Sequence, residues 1–299
     1  MNSYLLSIIV PIKNEIHYLK DLLLEISLID THDVEVIISD NYSDDGSWEF
    51  LSSKNSTIKL VRPEKSCSPF ENHKYALSKA TGKYIYSMGG DDIFLSKSLY
   101  KILPLLKKHE NIIVIGRIKN FKDVTNEIIR VTNTPDTIRS FFVNDIFSIK
   151  KYLLYVNYDQ MFFSFVPRNK QEFVNKIDPF SYETFCVWSN FFNFHKRSIQ
   201  EIYFIDEVVM MKRYCKQHNA GNFNLDQGMG KPSNNIRKFQ GSVRNTLNFM
   251  KVYFDLKTFF YLMFYNRQVI GSYGKKRVYS PFIRVIGVEV VKILRKIIL

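Results

Sequence analysis

Apolar and polar positions follow two rhythms along the first third of this chain. Short, mostly apolar runs at 5–10, 34–39, 58–61, 84–88 and 112–115 read as strands. Between them apolar residues recur at helical spacing. Leu19, Leu22, Leu23 and Ile26 mark a helix over 16–26, and further helices are expected over 47–53, 70–80 and 96–107. Gly82 is placed to stop the third of these. Strands alternating with helices predict an α/β fold, a mostly parallel sheet flanked by helices. Beyond residue 115 the pattern is sparser. It gives strands over 161–166 and 203–205 and an aromatic-rich helix over 182–195. Gly, Asn, Gln and Ser gather over 219–235 as a loop or linker, followed by helices over 236–266 and from Pro281 onward. The chain thus reads as two halves of one domain, 1–115 and 116–220, with a helical C-terminal extension over 221–299.

Composition adds a core and a charged tail. The 299 residues are 45% hydrophobic and 15% aromatic, which excludes global disorder. The three cysteines, Cys67, Cys186 and Cys215, have no close spacing. They fit neither a disulfide framework nor a zinc site and favour a reducing, cytoplasmic setting. The first apolar run is six residues long with no basic stretch before it, so a strand is expected rather than a signal peptide. No apolar run approaches the roughly 18 residues of a spanning helix. The net charge is +13, and residues 231–299 carry +12 of it, with 14 Lys and Arg against Asp255 and Glu289. That asymmetry points to an anionic partner for the tail. The last helix places Arg284, Lys292, Arg295 and Lys296 on one side, and Ile283, Val290, Ile293, Leu294 and Ile297 fill much of the rest. A basic amphipathic helix of this kind suits an anionic membrane surface. No nucleic-acid motif accompanies it, so nucleic acid is not the expected partner.

Polar chemistry gathers where the predicted strands end. The first strand exits at Pro11-Ile12-Lys13-Asn14-Glu15, the second at Asp40-Asn41-Tyr42-Ser43-Asp44-Asp45-Gly46, the fourth at Gly89-Gly90-Asp91-Asp92. In a parallel sheet these exits share one edge, where ligands bind. Two adjacent carboxylates repel, and a divalent cation relieves the conflict; oxygen ligands suit Mg²⁺ or Mn²⁺. No Gly-x-Gly-x-x-Gly follows the first strand, and 271–276 lacks the spacing of a phosphate-binding loop.

The ordered series Leu6-Ser7-Ile8-Ile9-Val10-Pro11-Ile12-Lys13-Asn14-Glu15, Ile37-Ile38-Ser39-Asp40-Asn41-Tyr42-Ser43-Asp44-Asp45-Gly46-Ser47, and Ala80-Thr81-Gly82-Lys83-Tyr84-Ile85 leading to Gly90-Asp91-Asp92 resembles the family 2 glycosyltransferases of the GT-A fold. The likeness covers 1–115 well and 116–220 loosely. It implies a nucleotide-sugar donor bound by the first half, an acceptor bound by the second, a divalent metal (Mn²⁺ or Mg²⁺) and inversion at the anomeric carbon. Carried over by position, Pro11, Lys13 and Glu15 line the nucleotide pocket. Asp40 accepts a hydrogen bond from the base, typically N3–H of uracil, so a UDP-sugar is favoured. Asp91 and Asp92 hold the metal, with Asp91 the more direct ligand and the nucleotide's neighbour. His73 lies near a basic contact to the nucleotide. The chain departs from the family in having Gly89 and Gly90 where an acid usually precedes the pair.

Inverting transfer needs a general base for the acceptor hydroxyl. Relatives carry an acidic pair at a helix start in the second half, which makes Glu183 the candidate, with Thr184 in the second place and Asp178 and Asp206 as alternatives. His218 follows Met211-Lys212-Arg213-Tyr214-Cys215 in a segment similar to one whose His completes the metal site in relatives. The resemblance extends to bacterial surface polysaccharide synthesis, lipopolysaccharide or capsule, with a glycan or lipid-linked glycan acceptor at the inner face of the cell membrane. The rival is a catalytically inactive relative that binds sugar nucleotides or a protein partner.

Overall fold

The computed structural model describes residues 4–54, 57–123, 125–132, 140–142, 164–168 and 201–214. The chain divides into two compact units, Met1–Asn175 with Ser189–Asn222, and Lys176–Trp188 with Phe223–Leu299; the described residues all lie in the first.

The strands and helices alternate as the pattern predicts. β1 (Leu6–Ile12), α1 (Leu19–Ser27), β2 (Val34–Asp40), α2 (Ser47–Ser52), β3 (Ile58–Val61), α3 (Pro69–Ser78) and β4 (Tyr84–Ser87) come first. A two-residue strand β5 (Ile93–Phe94), a 3-10 turn (Ser96–Ser98) and α4 (Leu99–Lys108) follow. Then come β6 (Ile112–Lys122), β7 (Ile128–Val131), β8 (Ser140–Phe142), β9 (Ser164–Pro167) and β10 (Glu201–Tyr214).

Among the described residues the sheet runs β3-β2-β1-β4-β9-β6-β10-β5, with β7 on β6 and β8 on β10. Its long ladders are parallel: β1 with β2 and β4, β2 with β3, and β6 with β10. β9 is antiparallel to both β4 and β6. Two reversals cancel, so β6 and β10 run in the direction of β4. The end of β10 therefore reaches the same sheet edge as the exits of β1, β2 and β4.

Sheet position explains the continuous apolar strands. One face carries Leu6, Ile8, Val10 and Ile12 of β1, Val34, Val36 and Ile38 of β2, and Tyr84 and Tyr86 of β4, packed with Leu19, Leu22 and Ile26 of α1 and Ile102 and Leu106 of α4. The intervening residues Ile9, Ile37 and Ile85 are equally buried, and α3 packs on β1 and β2. A parallel sheet covered on both faces has no solvent side to make polar. Truncating one such residue, for example Ile8→Ala, costs about 2–5 kcal/mol through lost contacts and the cavity left behind.

Helix α3 starts one residue before the expected 70–80 and ends two residues short of it. Ser68 caps it with a reciprocal box: its side chain accepts from the Glu71 backbone N–H while Glu71 reaches back to the Ser68 N–H, and Pro69 takes the first position.

Candidate functional site

The exits of β1 and β2 are laced into one rim. The Asn14 backbone N–H donates to Ser43 Oγ at 2.9 Å, and the Asp44 N–H returns a bond to Asn14 Oδ1 at 3.0 Å. Glu15 N–H donates to Ser47 Oγ, and Ile16 N–H to Asp45 Oδ2. Burial would raise the Asp45 pKa, but donors from Ser47 and Ile16 outweigh it and hold it below the ordinary carboxylate value. Buried Asn72 of α3 joins the two strand ends, accepting from Ser39 Oγ at 2.6 Å and donating to the Ser39 and Ile12 carbonyls. Asn14 and Tyr42 both adopt positive φ, 58° and 56°. For a bulky residue such as Tyr42 that backbone is costly, and such residues concentrate at binding sites. Tyr42 is held there by a hydrogen bond from its hydroxyl to the Glu64 carbonyl, 2.6 Å.

Asp40 closes the floor of this rim. It is 0% exposed. Its Oδ2 accepts from Arg62 Nη2 at 2.6 Å, from Arg62 Nε at 3.0 Å and from the Ser43 N–H at 3.2 Å. Its Oδ1 is buried with no hydrogen-bond partner among the described residues. Arg62 in turn lies over the Trp48 ring at 3.9 Å and the Tyr42 ring at 4.9 Å. The loop beyond β3 is pinned beside it: the Asn41 amide exchanges bonds with the Cys67 backbone, and Lys13 Nζ reaches Ser66 Oγ at 3.3 Å.

The acidic turn lies across from this floor. Glycine is required at its start by close approach: a Cβ on Gly90 would sit 2.5 Å from Ile12 Cγ2 and 3.3 Å from Glu15 Cγ. The family's acid has no room at that position without displacing the β1 exit, and Glu15 fills the adjoining space. Glu15 is buried and its Oε2 has no hydrogen-bond partner among the described residues. Burial first, then the charges of Asp91, Asp92 and Asp45, push its pKa up to about 9 against the opposing pull of Arg213. Asp92 is buried and Asp91 half-buried. Arg213, at the end of β10, binds both: its backbone N–H donates to Asp92 Oδ1 at 3.0 Å and its Nε to the Asp91 carbonyl at 2.8 Å. Among the described residues no three His, Cys, Asp or Glu side chains converge into a ready metal cage. The donor set is nonetheless of the hard-oxygen kind that suits Mg²⁺ or Mn²⁺. The raised pKa of Glu15 reflects burial and the crowding of carboxylates around it, and a cation would relieve that crowding.

Pro11, Lys13, Glu15, Asp40, Asp91 and Asp92 are thus brought to one edge. His73 is on the buried face of α3, and burial lowers its pKa to about 4. Asp206 is set apart: 78% exposed and paired with Arg117 at 3.0 Å, it lies seven residues before Arg213, on the order of 20 Å of strand. Glu183, Asp178 and His218 lie outside the described residues. Sequence reading overlooked Arg62, Asn72 and Arg213. Arg62 had a signal, a basic residue directly after an apolar strand; Arg213 stands in a basic segment where nothing separates it from Lys212.

This chain belongs to glycosyl transferase family 2, whose model matches residues 7–170. An uncharacterized glycosyltransferase from Haemophilus influenzae is 28% identical over 141 residues, 46% of this chain and 56% of that protein. The chain thus spans little more than half of that relative. S. aureus TarS 1-349 in complex with UDP-GlcNAc shares the fold with a TM-score of 0.63 at 13% identity, over 85% of this chain and 69% of TarS 1-349. The UDP complex of the same protein gives 0.56 at 15%, over 81% and 65%. The mixed α/β fold is that of the GT-A glycosyltransferases. No helix among the described residues is long and apolar enough to cross a membrane.

Proposed function

We propose that this chain is a metal-dependent, inverting glycosyltransferase, of hexosyl or hexosaminyl type. It would move a sugar from a nucleoside diphosphate, UDP favoured, to a glycan or lipid-linked glycan. The observation that carries this is Asp40. A buried carboxylate with one oxygen fully bonded and the other without a partner is costly unless a ligand supplies the missing donor. An imide N–H, as at N3 of uracil, is such a donor. Pro11, Lys13 and Glu15 border the same rim, and the neighbours TarS with UDP and with UDP-GlcNAc support a nucleotide-sugar donor.

Asp91 and Asp92, with His218, would hold Mn²⁺ or Mg²⁺; when bound, the cation neutralises charge on the departing diphosphate. Asp40 anchors the base, and Arg62 holds the Asp40 carboxylate in place. Glu183 takes the proton from the acceptor hydroxyl on the face opposite the leaving group. The basic segment 221–299 would bring the enzyme to the anionic, cytoplasmic face of the cell membrane, where a lipid-linked acceptor of lipopolysaccharide or capsule synthesis resides. Deleting 281–299 should then weaken binding to anionic vesicles, and unchanged binding would refute this placement.

The direct test is UDP release from a panel of UDP-sugars with Mn²⁺, in wild type and Glu183→Gln. Donor binding kept and transfer lost is the expected result; undiminished transfer removes Glu183 from the role. A second reading, a sugar-nucleotide binding protein without catalysis, is favoured by Gly89 and Gly90 standing where the family usually carries an acid. It requires donor binding with neither transfer nor hydrolysis.

A further inference from the structure

We infer that Arg213 is the positioning residue of the acidic turn, fixing Asp91 and Asp92 for the cation and diphosphate; this rests on the glycosyltransferase reading above. Its side chain is 7% exposed. Burying a guanidinium is costly unless every donor and the charge are matched. Here each of the three guanidinium nitrogens has an acceptor, and the acceptors are divided by task. Nη1 bonds Asp123 Oδ1, and Nη2 bonds Asp21 Oδ2 at 2.8 Å. The guanidinium lies over the rings of Tyr18 and Phe121, 4.7 and 5.0 Å from their centroids. Two carboxylates outside the turn therefore balance the charge, and two aromatic rings fix the plane.

What Arg213 adds at the turn beyond its charge is geometry. Nε holds the Asp91 carbonyl and the backbone N–H holds Asp92 Oδ1. The two contacts come from one residue because β5 pairs antiparallel with β10, Ile93 opposite Met211 and Phe94 opposite Met210. That short ladder folds the turn back onto the end of β10. Rotating the Asp92 carboxylate breaks one bond, and shifting the Asp91 peptide breaks the other. Asp21 and Asp123 balance the charge of Arg213, so its two contacts to the turn serve to orient Asp91 and Asp92. Groups that orient metal ligands in this way typically cost about 10–100-fold in metal affinity when altered.

Lysine keeps the charge and loses the fork, so it can replace neither the Nε bond nor the stacking. The experiment is calorimetric titration of UDP with and without Mn²⁺, and of uridine alone, on wild type, Arg213→Lys and Asp123→Asn. The expected result for folded Arg213→Lys is an Mn²⁺-dependent gain in UDP affinity reduced about 10–100-fold, with uridine binding at Asp40 unchanged. Asp123→Asn should show a smaller loss of the same kind. A folded Arg213→Lys with the full Mn²⁺ gain overturns the assignment, as does a parallel loss of uridine binding, which marks general damage. Should Arg213→Lys fail to fold, Asp123→Asn decides: an unchanged Mn²⁺ gain there overturns the assignment. A wild type that binds uridine but shows no Mn²⁺ gain also overturns it. A wild type that binds neither uridine nor UDP instead refutes the underlying glycosyltransferase reading.

Discussion

The two edges of the β1–β2–β4 sheet each bury a glutamate, and they treat it in opposite ways. At the amino-terminal edge Glu35 gathers four donors on one oxygen: Ser7 Oγ at 2.6 Å, the Thr81 N–H and hydroxyl at 2.6 and 2.8 Å, and the Gly82 N–H at 3.0 Å. Burial alone would raise its pKa, but these donors bring it below the ordinary value. At the carboxyl-terminal edge Glu15 has an oxygen with no partner and a pKa of about 9, and Asp40 has an unmatched oxygen as well. The first carboxylate is finished by the fold and is structural. Among the described residues the second pair is left incomplete, where three strand exits converge.

The largest contrast should appear in catalysis. Asp91→Asn is expected to lower sugar transfer by at least about 10²-fold, as loss of a group facing developing charge does, with the thermal transition kept. Retained transfer, measured by UDP release, would make the carboxyl-terminal edge as structural as the other. Glu35→Ala should give the reverse pattern. Four donors lose their acceptor, and unfolding in urea should show a loss of about 2–4 kcal/mol. UDP affinity of the folded protein should not change; a variant as stable as wild type would break the comparison from the other side.

The smallest effect lies in pH. The raised pKa of Glu15 means that the folded, metal-free protein holds a proton that the unfolded chain releases near 4.5. Its stabilising contribution is complete below that value and is lost as pH rises towards about 9. Glu15→Gln keeps a neutral group there. At pH 8 it should raise the Tm of the metal-free protein by roughly 2–8 °C, equivalent to about 1–2 kcal/mol, and flatten this part of the pH profile. No gain in Tm would mean that Glu15 is charged in the empty site.

Legibility follows the same divide. Strands β1 to β4 were readable because both faces of a parallel sheet are largely apolar, and their exits are marked by clusters of polar residues. β10 was read over only 203–205, although the strand runs Glu201–Tyr214. Asp206, Glu207, Lys212 and Arg213 interrupt its apolar pattern, and the strand accommodates them with register shifts near Val208 and with partners from elsewhere, Arg117 for Asp206 and Lys101 for Glu207. Those partners are about 90 to 106 residues away in sequence, a distance over which no spacing rule operates. Arg213 was hidden for that reason: its meaning lies in Asp21, Asp91, Asp92 and Asp123, which only the sheet order assembles. Asp40 shows the complementary case. Its place was legible from the strand exit, but the split between a bonded and an unbonded oxygen needed the side-chain geometry.

The claim that the carboxyl-terminal edge is a uracil-nucleotide site is tested most directly at that unbonded oxygen. Cytosine presents an acceptor at N3 where uracil presents N–H, so Asp40 should distinguish them. Calorimetric titration of wild type with UDP and CDP should show UDP tighter by about 10-fold or more, the worth of one hydrogen bond to a charged group, and Asp40→Asn should abolish the difference. Equal binding of UDP and CDP to wild type, or a preference that survives Asp40→Asn, would contradict it.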